Sequence, residues 1–299
     1  MKFKSIFDNP TKSRRRPPAA GAGDFRSGAA YLFTKEMELA LSAAAATQRP
    51  LLVTGPTGCG KSSLARGTAA RLDWRYLERT VNSRTEITSL LWEVDHLRRL
   101  QDANLKQLDP DLLAYVRPSV IWQALDEGSA KDPRSLRDGG GRTPPASLTP
   151  AVVLIDEIDK ADPDLPNNLL EVLGGLRFEV ADTGCRVSCR SGIPLIIITS
   201  NDERDLPPAF VRRCIVLNLG QPDLARVGAL HFPDDIKLVT AAIGLLVDQG
   251  SGSPSAAEFL DFVQACRELR VAPGSDDWLR LAEACVLKGR GGSTTPRHA

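Results

Sequence analysis

The chain has 299 residues, of which 42% are hydrophobic and 25% charged, a balance typical of a globular protein that buries a sizeable core. Its 38 basic and 37 acidic side chains give a formal net charge of +1, which excludes a strong overall attraction to nucleic acid or to an anionic membrane. No segment approaches the roughly 18 uncharged apolar residues of a membrane-spanning helix, and the N-terminus lacks the apolar region of a secretory signal. We therefore expect a cytoplasmic protein with no membrane span.

The first part of the chain is expected to be a tail followed by a helix. Residues 1–24 contain TKSRRRPPAAGAG, which is basic and rich in Pro, Ala and Gly, and this composition predicts a flexible tail. A nucleic-acid-binding arm is the alternative, although no aromatic residues interleave the charges. From Ala29 an Ala- and Leu-rich stretch with apolar residues at helical spacing predicts a helix that leads to Pro50.

Four short apolar runs predict buried strands. They are LLVTG after Pro50, VVLI at Val152, LIIIT at Leu195 and IVLNL at Ile215, and long segments with helical character separate them. Apolar, β-branched runs that alternate with helices indicate a parallel sheet covered on both faces. The predicted fold class is therefore α/β.

Two segments between the predicted strands differ from the simple alternation. Apolar residues recur at spacings of three to five between residues 90 and 108, as on one face of an amphipathic helix, and we expect that face to pack on the sheet. These residues are Leu90, Val94, Leu97, Leu100, Leu105 and Leu108. The stretch 128–150 has no core-forming pattern and is long for a loop, which predicts disorder or a functional insertion.

The strongest functional motif is GPTGCGKS, which fits the P-loop pattern G-x-x-x-x-G-K-[ST] between a predicted strand and a predicted helix. Glycines there let backbone N–H groups curl around phosphates, and the helix N-terminus adds the positive end of its dipole. Lys61 is expected to reach the β- and γ-phosphates, and the Ser62 hydroxyl to bind Mg²⁺. The candidate nucleotide-binding residues are Gly55, Pro56, Thr57, Gly58, Cys59, Gly60, Lys61, Ser62 and Ser63.

Two further motifs place polar residues at the carboxyl ends of predicted strands. VVLIDEID carries Asp156 and Glu157, which are ordinary helix caps in many proteins. After a P-loop, however, the pair indicates that Asp156 holds Mg²⁺ through water and that Glu157 polarises the attacking water as a general base. LIIITSN ends in Asn201, whose amide is a candidate to orient that water, because ligands of open α/β sheets bind at this edge. A turn residue without a function is the alternative for Asn201.

The segment LPPAFVRRC sets Arg212 and Arg213 directly before an apolar run. A strand cap or a salt bridge is the simple explanation of these charges. The alternative is a contact with phosphate, whose oxygens a planar guanidinium meets in two places. Since the other motifs lack a cation for the charge that develops on the γ-phosphate, we predict that Arg213 supplies it in trans. Arg212 is expected to assist or to tie the turn to the neighbouring subunit.

The cysteines carry a weaker signal. Cys185 and Cys189 are four residues apart, which is a weak indication of a metal or redox site, and reduced structural thiols are the favoured interpretation. Cys59 belongs to the P-loop by position, and we assign it no redox role.

In this order and spacing, GPTGCGKS, VVLIDEID, IITSN and LPPAFVRRC resemble the AAA+ ATPases, from about residue 29 to residue 287. The chain looks most like the MoxR-type members, because EITSLLWEVDHLRRL and LAYVRPSVIWQALD fall where that group carries an extra insertion. LPPAFVRRC is similar to the family's LPEAQLDRF and aligns Arg213 with its arginine finger. The resemblance implies sheet order 5-1-4-3-2, bound ATP with Mg²⁺, and a homo-oligomeric ring that is usually hexameric.

The same resemblance divides the chain into domains. It implies a tail at 1–24, a nucleotide-binding domain at 25–220 with an insertion around 84–150, a helical lid at 221–288 and a tail at 289–299. The family's lid often carries SPR, whose arginine is called sensor 2, but this chain has SPS at 253–255. That role therefore does not transfer to Ser255. Arg267 and Arg270 are the candidates to replace it, and exposed helix charges are the simpler interpretation of both.

Three functions are compatible with the motifs. The leading one is an ATP-hydrolysing ring that remodels or activates a protein client, which the complete set of hydrolysis residues and the MoxR-like insertion support. The resemblance implies a von Willebrand factor A-type partner. The second is a nucleic-acid motor or a McrB-like GTPase, which the basic N-terminal tail and the breadth of the superfamily suggest. No basic stripe with aromatics supports it, so nucleic acid is not the expected partner. The P-loop contacts phosphates and not the base, so it leaves the choice between ATP and GTP open. The third is a nucleotide-dependent regulatory switch, which the missing SPR arginine suggests and the intact Asp156 and Glu157 pair opposes.

Overall fold

The computed structural model describes residues 5–8, 30–137, 149–248 and 254–287. Within these ranges the chain forms a five-stranded sheet and two short antiparallel hairpins. The strands of the sheet are β1 Leu51–Thr54, β2 Arg75–Thr80, β3 Ala151–Asp156, β4 Leu195–Thr199 and β5 Ile215–Asn218. The hairpins pair Trp92–Val94 with Val116–Pro118 and Arg177–Val180 with Cys185–Ser188.

The sheet confirms the predicted α/β class and the predicted strand order. Hydrogen-bonded neighbours follow the order 2-3-4-1-5, which is 5-1-4-3-2 when it is read from the opposite edge. All four pairings are parallel. The side chains of β4 and all but the last of β3 are buried, which explains why both strands appear in the sequence as unbroken apolar runs.

The strand β5 departs from the prediction that its apolar run is buried. It lies at an edge of the sheet and pairs with β1. Val216 is 50% exposed, and Asn218 is also exposed, whereas Leu217 is buried. An edge strand has a neighbour on one side alone, so its apolar side chains are not all covered.

The described residues form twelve α-helices, and eight of them lie between or before the strands of the sheet in the chain. They are α1 Lys35–Thr47, α2 Lys61–Leu72, α3 Ile87–Leu91, α4 His96–Asn104, α5 Val120–Leu125, α6 Glu127–Lys131, α7 Leu165–Gly175 and α8 Pro208–Val211. The predicted start of the first helix at Ala29 was wrong. The helix α1 begins at Lys35, because the hydroxyl of Thr34 caps it by accepting the N–H of Met37 at 3.3 Å.

The chain divides into two compact units. The first contains Phe33–Thr54 and Ser62–Asn218 and therefore the whole sheet. The second contains Ala30–Leu32, Gly55–Lys61 and the described chain from Leu219 onward. Its helices are α9 Leu224–His231, α10 Ile236–Asp248, α11 Ala256–Leu269 and α12 Asp276–Cys285. They share a core in which the rings of Phe262 and Trp278 lie 4.8 Å apart. The domain limits expected from the resemblance remain predictions.

The predicted tails lie largely outside the described residues, and the described part of the first is ordered against α1. Residues 6–8 form a short 3-10 helix, and the N–H of Ile6 donates to the hydroxyl of Ser42 at 3.0 Å. The ring of Phe7 packs edge-on against Phe33 and lies under the guanidinium of Arg71. A uniformly flexible tail was therefore the wrong expectation for residues 5–8, because their apolar side chains find partners on the first unit.

The segment 90–108 is not the single sheet-packed helix that its leucine spacing predicts. It divides into the end of α3, the hairpin strand Trp92–Val94 and the helix α4. Leu90 is buried in the core, but no residue of α4 is buried and Leu97 is 67% exposed. Leu100, Leu105 and Leu108 are exposed as well. The leucines of α4 and of the segment that follows it thus lie on the surface, and part of the 128–150 stretch forms α6.

This difference can be tested by two matched substitutions. We expect Leu97→Ala to change the free energy of unfolding by less than about 0.5 kcal/mol, because the side chain contacts mainly water. Leu90→Ala should lower it by about 2–5 kcal/mol, since it opens a cavity in the core. Denaturant unfolding followed by circular dichroism measures both. A large loss for Leu97→Ala would show that the face of α4 is packed after all.

Candidate active site

The GPTGCGKS segment forms a tight loop between β1 and α2, and its glycines adopt backbone angles that other residues rarely take. The φ angles are +138° at Gly55, +78° at Gly58 and +97° at Gly60. A Cβ atom at Gly55 would collide with the carbonyl oxygen of Leu219, and one at Gly58 would collide with the side chain of Ser255. Both the backbone angles and the neighbouring atoms therefore require glycine at Gly55 and Gly58. A glycine-rich loop before a helix can direct its backbone N–H groups at an anion.

Lys61 opens α2, and its ammonium group lies within the curve of the loop. The side chain is 7% exposed, and Nζ donates to the carbonyl oxygens of Gly55 at 2.7 Å and Pro56 at 2.9 Å. An ammonium group has three N–H donors, so one remains for a phosphate oxygen. Of the other predicted loop residues, Thr57 is exposed, and so is Ser63 in the first turn of α2.

Two side chains line the same loop, those of Tyr31, which is half-buried, and Cys59, which is buried. The hydroxyl of Tyr31 donates to the carbonyl oxygen of Gly60 at 3.3 Å, and burial raises the pKa of this phenol. The thiol of Cys59 is also buried, and burial raises its pKa above the ordinary value. A protonated buried thiol is a poor nucleophile, so we assign Cys59 no redox role.

The carboxylate of Asp156 gathers hydroxyl groups at the carboxyl edge of the sheet. The hydroxyl of Ser62, the second residue of α2, lies 3.0 and 2.9 Å from the two carboxylate oxygens. The hydroxyl of Thr199, the last residue of β4, donates to the same carboxylate. The structure thus brings together the two predicted metal-binding residues, and their hydroxyl and carboxylate oxygens are the atoms that Mg²⁺ prefers.

Glu157 follows Asp156 in an unusual backbone conformation. Its φ and ψ angles are 62° and 47°, in the left-handed region, and its N–H donates to the hydroxyl of Thr199 at 3.0 Å. Such angles cost energy in a residue other than glycine and are frequent at functional sites. The carboxylate accepts a hydrogen bond from Nζ of Lys160 at 3.0 Å, and this bond raises the pKa of Lys160.

Asp159 connects the Asp156 strand to the loop that carries Asn201. Its side chain is 3% exposed, and one carboxylate oxygen accepts the N–H groups of Asn201 and Glu203, both at 3.1 Å. The side chain of Asn201 makes no hydrogen bond to any residue that the structure describes. Its backbone is therefore held in place while its amide remains available.

Thr199 and Asp159 were missed in the sequence. Each stands at or just beyond the carboxyl end of a strand that ends at the site, and that position was the available signal. Their partners were not readable, because both bonds join residues about 40 positions apart in the chain.

Arg212 and Arg213 lie at the amino ends of the parallel strands, whereas the predicted metal- and water-binding residues lie at the carboxyl ends. Both side chains are exposed, and within the described ranges neither has a hydrogen bond or ion pair. Arg213 comes two residues before the start of β5, whereas Asp156 and Asn201 stand at the carboxyl ends of β3 and β4. Because the strands are parallel, about 13 Å of strand separates the two edges.

The lid helix α11 begins at the P-loop. Ser255 caps it by accepting the N–H of Glu258 at 3.1 Å, and the N–H of Ala256 donates to the carbonyl oxygen of Gly58 at 3.2 Å. Arg267 lies twelve residues further along the helix, about 18 Å away, and contacts Asp235 and Glu268 there. The structure therefore does not favour Arg267 as a replacement for the missing sensor 2 arginine, and Arg270 lies beyond it.

Among the described helices, none combines the length and the apolar composition needed to cross a bilayer.

Comparison with known proteins gives a family match across this site. Residues 50–214, more than half of the chain, match the model of the AAA domain (dynein-related subfamily). The chain is 26% identical over 209 residues to an ATP-dependent protease ATP-binding subunit-like protein of Rhodococcus erythropolis, covering 64% of this chain and 52% of that protein.

Two solved structures are similar at low identity. A Cytophaga hutchinsonii protein proposed to be an ATPase aligns with a TM-score of 0.39 and 13% identity over 62% of this chain and 44% of its own. NtrX from Brucella abortus in complex with ADP aligns with a TM-score of 0.46 and 14% identity over 82% of this chain and 54% of its own. The chain thus spans about half the length of the relatives it matches.

The buried Asp159 provides a test of this arrangement. We expect Asp159→Ala to lower the free energy of unfolding by about 1–3 kcal/mol, because two N–H groups lose their acceptor. If Asn201 takes part in catalysis, turnover should fall as well, since its loop is released. Asp205→Ala is the matched control, because Asp205 is an exposed residue of the same loop. Denaturant unfolding and phosphate release measure the two effects, and unchanged stability would contradict the assigned contacts.

Proposed function

The chain belongs to the dynein-related subfamily of AAA domains, within the AAA+ ATPases, and on that premise we propose that it hydrolyses ATP with Mg²⁺ in a homo-oligomeric ring. The observation that most directly supports this proposal is the hydrogen-bonded set of Ser62, Asp156 and Thr199 beside the P-loop lysine. A site that stores nucleotide needs the loop alone, whereas hydrolysis also needs groups that handle metal and water.

In the proposed mechanism, the P-loop residues hold the nucleotide and two oxygen donors hold the metal. The backbone N–H groups of the loop surround the phosphates, and the free N–H donor of Lys61 contacts a phosphate oxygen. The hydroxyl of Ser62 and the carboxylate of Asp156 would hold Mg²⁺, directly or through water. The bound ion would neutralise charge on the phosphates.

Glu157 is proposed as the general base. Its carboxylate takes a proton from the attacking water, and the amide of Asn201 orients that water. The ion pair between Glu157 and Lys160 opens before this step, and it opens readily because both side chains are partly exposed. Glu157 has a left-handed backbone, and a strained conformation of this kind is consistent with a functional role.

Arg213 is proposed to act on the nucleotide of a neighbouring subunit. It stands about one strand length from Asp156 and Asn201 of its own chain, so it does not reach the groups that handle water there. Its exposed guanidinium is free to meet a phosphate of another chain. A residue that must be supplied in trans makes each site depend on the next subunit, which favours a closed ring, and the resemblance favours six subunits.

The work of the ring is proposed to be the remodelling or activation of a protein client, in the manner of MoxR-type ATPases and beside a von Willebrand factor A-type partner. The resemblance of the insertion between the P-loop and the VVLIDEID strand supports this assignment. The Rhodococcus erythropolis relative is named an ATP-dependent protease ATP-binding subunit-like protein, and this name also associates ATP with action on a protein.

The general base can be tested with Glu157→Gln. We expect steady-state turnover to fall by about 10²- to 10⁴-fold, because glutamine cannot accept the proton of the water. Nucleotide affinity should be retained, since the hydrogen bonds described for Glu157 join it to Thr199 and Lys160. Phosphate release and titration with a fluorescent ATP analogue measure the two quantities. Glu179→Gln, at an exposed position of the second hairpin, is the control, and undiminished turnover of Glu157→Gln would exclude this role.

The action of Arg213 across subunits can be tested by mixing variants. Arg213→Ala alone is expected to lose about 10³- to 10⁵-fold in turnover, as arginine fingers do, and Lys61→Ala alone should bind nucleotide poorly. Mixed rings should recover turnover wherever an intact P-loop meets an intact Arg213. Mixing Arg213→Ala with the double variant Lys61→Ala/Arg213→Ala is the control, because no interface is then complete. Failure to recover in rings shown to be mixed would count against action in trans.

A further inference from the structure

A third arginine, outside all of the sequence motifs, holds the turn that carries Arg212 and Arg213. Arg49 lies between α1 and β1, and its guanidinium donates to three consecutive carbonyl oxygens. Nε lies 3.0 Å from the carbonyl oxygen of Arg213, and Nη2 lies 3.0 Å from that of Cys214. The same Nη2 also donates to the carbonyl oxygen of Arg212. One side chain thus contacts every peptide carbonyl from residue 212 to residue 214.

These carbonyl oxygens need hydrogen-bond donors, which the short helix does not provide. The helix α8 has four residues, Pro208–Val211, and the carbonyls at and beyond a helix C-terminus have no partner within the helix. A cation near a helix C-terminus is favourable, and the planar fork of arginine can reach several oxygens at once. Arg49 therefore satisfies the end of α8 from outside the helix.

Arg49 is itself anchored on both sides by backbone bonds. Its N–H donates to the carbonyl oxygen of Ala44 at 3.1 Å, at the end of α1. The next residue, Pro50, accepts the N–H of Ile215 at 2.8 Å, which joins the starts of β1 and β5. The guanidinium is thus presented to the turn from a fixed point of the sheet.

The consequence for Arg213 follows from peptide geometry. The two peptide planes on either side of its Cα atom are those that carry the carbonyls of Arg212 and Arg213. Because a peptide unit is planar, holding both carbonyls fixes both planes and with them the direction of the Cα–Cβ bond. The side chain of Arg213 is exposed and makes no hydrogen bond to the described residues, so its direction depends on this backbone.

We propose that Arg49 is a positioning residue for Arg213, which it aims out of the turn toward the neighbouring subunit. The inference rests on the proposed action of Arg213 in trans. It makes a prediction that the proposed function does not make, namely that a change at Arg49 damages the site of the next subunit and leaves the P-loop of its own chain intact.

The test is the mixing experiment repeated with Arg49→Ala. We expect this variant alone to lose about 10- to 100-fold in turnover, because a displacement of about 1 Å in a catalytic group has effects of that size. Its affinity for a fluorescent ATP analogue should match the wild type. Mixed with Lys61→Ala, it should recover turnover, since the intact P-loop of one subunit then meets the intact turn of the other. Arg79→Ala, which removes an exposed arginine bound to Glu93, is the control.

The outcomes separate this inference from the proposed function. Recovery with both Arg213→Ala and Arg49→Ala supports it, and partial turnover in Arg49→Lys, which keeps the charge and loses the fork, adds support. Recovery with Arg213→Ala but not with Arg49→Ala overturns the positioning role alone, because Arg49 then serves its own P-loop. No recovery with either overturns the action in trans and the inference with it. Wild-type turnover in Arg49→Ala, or exclusion of Arg49→Ala and Arg49→Lys from mixed rings, also overturns it.

Discussion

The carboxylate of Asp156 is the contact on which the rest of the site depends. It receives the hydroxyl of Ser62 from the start of α2 and the hydroxyl of Thr199 from the end of β4. Thr199 in turn accepts the N–H of Glu157. Three segments that are far apart in the chain are therefore joined at one carboxylate, and the same oxygens are those that a magnesium ion would use. A single acidic residue therefore joins the segments at the carboxyl ends of the strands and supplies oxygens suited to a metal ion.

The carboxyl ends and the amino ends of the parallel strands have different functions in the proposed ring. The carboxyl edge carries Asp156, Glu157 and the loop of Asn201, and Asp159 fixes that loop by its backbone. The amino edge carries Arg213, whose side chain is exposed and whose backbone is held by Arg49. Parallel strands keep these edges apart within one subunit. Neighbouring subunits of a ring can bring them together, so the division of labour within one chain is itself an argument for assembly.

The contacts that prepare the site were less predictable than its motifs. The residues of GPTGCGKS and VVLIDEID are read in the sequence because the chemistry requires adjacent residues of defined type. Thr199, Asp159 and Arg49 act through hydrogen bonds to residues about 40 to 165 positions away in the chain. No local sequence pattern predicts a hydrogen bond over such a separation. The leucines of α4 show the opposite error, since their helical spacing is clear but spacing does not reveal which face meets the core.

The sequence by itself determined the α/β class and the position of the P-loop. Through its resemblance to AAA+ ATPases it also determined the order of the strands. These features depend on local patterns: unbroken apolar runs for buried strands, and glycines where φ must be positive. Tertiary structure alone decided that the β5 run lies at an edge, that α4 exposes its leucines, and that Arg49 holds the turn of Arg213. The physical reason is that burial and hydrogen bonding are properties of pairs of segments, and folding chooses those pairs from the whole chain.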